Sequence, residues 1–79
     1  MSIRSSITLV FEEVAREQKR KLSPLLDDMK LVESGLDSLS FALIVARLED
    51  TLNLDPFESL DAFPVTFGEF VQLYEKGPP

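Results

Sequence analysis

Residues 38–52 read as a helix that is apolar around most of its circumference, and this segment limits the fold more than any other. Phe41, Val45, Leu48 and Leu52 recur at the i, i+4, i+7, i+11 spacing of one helical face, with Ile44 beside them. At about 100° per residue, Leu39, Ala42, Leu43 and Ala46 form a second strip, next to Ser38. A helix apolar all round should be buried on every side. A chain of 79 residues cannot wrap one, because it hides only about 60–65 % of its unfolded surface. Part of the second strip is therefore expected to stay open to a partner.

The rest of the chain supplies the packing. Ile3, Ile7, Val10, Phe11 and Val14 predict an earlier helix, capped by Ser5 or Ser6 and stopped before Pro24. Its bases Arg16, Lys19, Arg20 and Lys21 lie at the carboxyl end, where they complement the helix dipole and read as a solvated helix end. Residues 22–36 form a long connection whose apolar side chains (Leu25, Leu26, Met29, Leu31, Val32, Leu36) lack a clear period and are expected to fold back over the core. A connection of this length in a small domain is often functional.

Residues 55–63 fit a short turn of helix closed by Pro64. Thr66-Phe67-Gly68-Glu69 is a capping box that opens a last helix with Phe67, Phe70, Val71 and Tyr74 on one face. A tail at about 77–79 should fray. No strand pattern and no repeat stands out. The expected fold is all-α, a small bundle of three main helices plus one short one, with residues 1–79 as a single domain.

Composition narrows the chemistry. With no cysteine and no histidine, the chain lacks a thiolate nucleophile, a zinc cluster and the commonest general base. The net charge is −6, and residues 27–75 hold eleven acids against only Lys30 and Arg47. That balance disfavours nucleic acid and anionic membrane surfaces and favours basic partners. The longest apolar run, Phe41 to Ala46, falls far short of the ~18 residues of a membrane span, and the start of the chain is too soon acidic for a signal peptide. A cytoplasmic monomer is expected.

The segment Gly35-Leu36-Asp37-Ser38-Leu39 puts a serine hydroxyl at the first turn of the apolar helix, just after a glycine-bearing loop. A helix start offers free N–H donors and the positive end of the dipole, which would stabilise a phosphate joined to that hydroxyl. Asp37 and Ser38 are also good capping residues in their own right.

The run Leu36-Asp37-Ser38-Leu39 resembles the 4′-phosphopantetheine attachment motif of acyl carrier proteins. Chain length, acidity, the long loop before the motif and the apolar helix after it fit that family as well. The resemblance implies a non-catalytic carrier, with Ser38 as the residue to which a phosphopantetheinyl transferase attaches the arm of coenzyme A. An acyl group would then hang as a thioester from the arm's thiol, for delivery to enzymes of fatty-acid, polyketide or specialised lipid and metabolite synthesis. The sulfur would belong to the arm, which accounts for a chain without cysteine. Asp37 matches the family aspartate associated with transferase recognition, and Leu39 the apolar residue that partners contact.

The sequence also departs from that family. Carriers of bulk fatty-acid synthesis usually bear acids early on this helix, where Ser40 and Leu43 stand here, and Arg47 adds a base. Acids remain further on, at Glu49, Asp50, Asp55, Glu58 and Asp61. Docking is therefore expected to lean on Leu39, Ala42, Leu43 and Ala46, with Asp50 beside them. Two alternatives stand beside this one. An aminoacyl or peptidyl carrier loaded by a ligase more often shows Gly-Gly-Asp-Ser, and an unmodified helical adaptor would use the same strip. A hydrolase built on Ser38 lacks a histidine base, and no segment has the twelve-residue spacing of an EF-hand.

Overall fold

Ile7, Val10, Phe11 and Val14 do line the buried face of a helix, α1, which spans Ile3–Glu17. Its cap is Ser2, whose hydroxyl accepts from the Ser5 amide, and not Ser5 or Ser6. The apolar period begins at Ile3, so the capping side chain has to precede it. The computed structural model describes residues 2–54, 56 and 63–76. Among them, α2 (Ser38–Leu52) and α3 (Phe67–Lys76) complete a helical bundle, and the connection from α1 to α2 contains one 3-10 turn at Leu31–Glu33. The short helix expected at 55–63 and the tail at 77–79 lie outside the described residues, apart from Pro56 and Phe63.

Phe11 sits at the centre, fully buried. Its ring meets Phe67 edge-on at 5.2 Å, Phe70 at 5.3 Å and Phe41 at 6.2 Å, so one aromatic group ties all three helices together. The connection folds back over the core, but Leu26 and Val32 depart from that expectation. Leu31 and Leu36 are buried, Leu22, Leu25 and Met29 pack partly against the core, and Leu26 and Val32 face out.

The start of α3 is docked on the connection. The capping box is formed, with the Thr66 hydroxyl accepting from the Glu69 amide and Glu69 accepting from the Thr66 and Val65 amides. Two further donors of this first turn find loop carbonyls: Phe67 N–H donates to Met29 (2.9 Å) and Gly68 N–H to Asp27 (3.0 Å). A side chain at Gly68 would collide with Asp27, whose carbonyl oxygen lies 2.9 Å from where a Cβ would stand.

The buried line of α2 is Ser40, Ile44 and Leu48. It is rotated from the face expected around Phe41, Val45 and Leu52, which are only half-buried. Arg47, on the flank beside that line, pairs with Glu13 (3.8 Å) and Glu17 of α1, so this flank lies toward α1. Leu43 stands one turn before Arg47 on that flank. It is half-buried against the core, which corrects the expectation of an open Leu43.

Candidate functional site

The motif is assembled by two loop segments lying side by side. Helix α1 ends in a Schellman turn: Lys19 N–H donates to Arg16 O and Arg20 N–H to Ala15 O, with Lys19 in the left-handed region at φ 56°. Residues 20–23 then run along residues 33–37. Ser23 donates from its amide to Ser34 O (2.9 Å) and from its hydroxyl to Glu33 O (3.0 Å). Gly35 has φ 94°, and a Cβ there would stand 2.3 Å from Lys21 O, so both conformation and contact demand glycine. The buried Ser34 hydroxyl donates to Leu31 O and accepts from Leu36 N–H, fixing the bend that leads into the motif.

Asp37 is the N-cap of α2. One carboxylate oxygen accepts from the Ser40 amide at 2.8 Å and the Ser40 hydroxyl at 2.9 Å; the other accepts from Arg20 at 2.6 Å. The Ser40 amide bond, then the Ser40 hydroxyl and the Arg20 charge, hold the Asp37 carboxyl below its ordinary 3.8. In the sequence Arg20 reads only as one of the solvated bases of a helix end. A pairing seventeen residues apart, made by a tertiary turn, carries no local signal.

Ser38, the first residue of α2, is exposed. Two open apolar clefts meet at it. One, of about 620 Å³, runs along α2 past Phe41, Ala42, Val45 and Ala46 to Phe63. The other, of about 550 Å³, passes Leu36, Phe41 and Phe63 toward Val32 and Val65. Of the expected docking residues, Leu39 is 59 % exposed, and Ala42, Ala46 and Asp50 are exposed with it. Leu43 stands apart as half-buried. Asp55, Glu58 and Asp61 lie outside the described residues.

A phosphate ester fits these surroundings, since an exposed hydroxyl on a capped helix start has amide donors nearby and apolar walls on both sides. Among the described residues there is no group of acids that could hold a metal ion, and no helix is long and apolar enough to cross a membrane. The family model described as phosphopantetheine attachment site matches residues 8–63, which take in most of α1, the connection, the motif and all of α2. No curated protein and no solved structure matches the chain. With that match covering well over half of its residues, the chain belongs to the family of phosphopantetheine-carrying carrier proteins, whose prosthetic group is covalently attached 4′-phosphopantetheine.

Proposed function

We propose that Ser38 is the attachment point, and that the protein is a non-catalytic carrier holding an acyl group for partner enzymes of lipid, polyketide or specialised metabolite synthesis. The observation that supports this best is the exposed Ser38 hydroxyl on the capped first turn of α2, where the two apolar clefts meet. In the transfer, Ser38 Oγ would bond to the phosphorus next to the pantetheine, its proton passing to the departing bisphosphate. The P–O bond to the adenosine bisphosphate of coenzyme A breaks. The arm's terminal thiol supplies the thioester linkage when the group is bound.

The chain's own residues have simple tasks. Asp37 ties the first turn of α2 through Ser40 and keeps Ser38 at its start. Exposed Leu39, Ala42 and Ala46, with Asp50 nearby, form the face that partner enzymes would meet. Half-buried Leu43 contributes less to it. Leu36 before the aspartate, where ligase-loaded carriers more often have glycine, supports an acyl cargo.

Intact mass after incubation with a promiscuous phosphopantetheinyl transferase and coenzyme A tests the assignment. The wild type should gain one phosphopantetheine, and Ser38→Ala should gain none while keeping its helical circular dichroism. An unmodified wild type would favour a plain adaptor.

A further inference from the structure

Arg20 is tied to the motif by more than its own side chain. The Schellman turn fixes its backbone, Gly35 packs on the carbonyl of the next residue, and Ser23 is bonded to both Glu33 and Ser34. These contacts bring the guanidinium to Asp37 at 2.6 Å, on the carboxylate oxygen that the helix cap does not use. Both oxygens are thus engaged, one by Ser40 and one by Arg20, and the carboxylate has one orientation. A carboxylate held only by Ser40 could swing about its Cα–Cβ bond, and the first turn carrying Ser38 would fray with it.

We propose that Arg20 is a positioning residue for the modification of Ser38, acting through Asp37 and not by contact with the reacting atoms. This rests on the assignment of Ser38 made above. The lysine in the left-handed region fits the same role, because Lys19 turns the chain so that Arg20 leaves α1 facing the motif.

The experiment measures kcat/KM for arm transfer to the full chain from coenzyme A, together with hydrogen exchange of the Ser40 amide in the unmodified protein. Arg20→Ala should lower kcat/KM about two- to fivefold, the range expected for an exposed ion pair, and Arg20→Lys should recover part of it. The Ser40 amide should exchange faster in Arg20→Ala by a similar factor. On an Asp37→Asn background, which keeps a capping oxygen but removes the ion pair, Arg20→Ala should change kcat/KM by less than about 1.5-fold. An equal loss on both backgrounds would mean that Arg20 touches the transferase directly, and would overturn the proposal. So would an unchanged Ser40 exchange rate or an undiminished kcat/KM. Should the wild type take up no arm, the Ser38 assignment fails, while the exchange measurement still decides whether Arg20 orders the turn.

Discussion

Lysine is an uncommon choice for a left-handed backbone position, and Lys19 holds one at φ 56° where a Schellman turn usually has glycine. The conformation costs about 1 kcal/mol for a residue with a Cβ. Lys19→Gly should therefore raise the unfolding free energy by about 0.5–1 kcal/mol, read by urea denaturation. A decrease would show that the lysine side chain makes contacts that outweigh its strain. Gly35 is the opposite case. Gly35→Ala should destabilise by more than about 1 kcal/mol, since it adds strain at φ 94° to a collision with Lys21 O.

Protonation belongs to the residue scale too. Hydrogen bonds to Ser40 lower the Asp37 pKa, those to the Thr66 and Val65 amides lower that of Glu69, and Arg47 lowers that of Glu17. A carboxyl with a depressed folded pKa stabilises above its unfolded value and loses that contribution as pH falls through the folded one. Stability should hold above about pH 5 and decline once pH drops past the ordinary 4.5 and 3.8 of these groups. Asp37→Asn should make the acid limb shallower, and an unchanged limb would contradict the cap geometry.

At the scale of elements, α2 shows what was legible and what was not. Its bounds followed from spacing, which left the cap open between Asp37 and Ser38, and the Thr66–Glu69 box announced α3 because every bond in it is local. The partition of α2 between open and covered faces did not follow. A helical wheel places Leu43 next to Leu39, yet Leu43 is half-buried against the core and Leu39 is exposed, a difference that the packing of the helices sets. The Arg20–Asp37 pair was hidden for the same reason, since it needs the turn after α1 to exist first. Truncation should separate the two leucines: Leu43→Ala should cost about 1–2 kcal/mol in denaturant unfolding, and Leu39→Ala under about 0.5 kcal/mol. Equal costs would restore the fully open strip. Thr66→Ala should cost about 1 kcal/mol through loss of the α3 cap.

For the whole molecule, charge and attachment are the two tests. The acids of residues 27–75 are not wholly without bases, since Arg4 reaches Asp27 at 2.7 Å and Arg20 reaches Asp37. Those pairs are exposed and contribute little, so the net charge of −6 should dominate. Raising salt from ~0.01 to ~0.2 M should lift the melting temperature by about 2–5 °C. A flat or falling value would mean that the cross-element pairs outweigh the repulsion.

The central claim is that this bundle exists to present one hydroxyl. Intact mass spectrometry of the wild type and Ser38→Ala, each incubated with a promiscuous phosphopantetheinyl transferase and coenzyme A, tests it most directly. A single phosphopantetheine is expected on the wild type and none on a folded Ser38→Ala. A wild type that stays unmodified, or a Ser38→Ala that still takes up the arm, would contradict it.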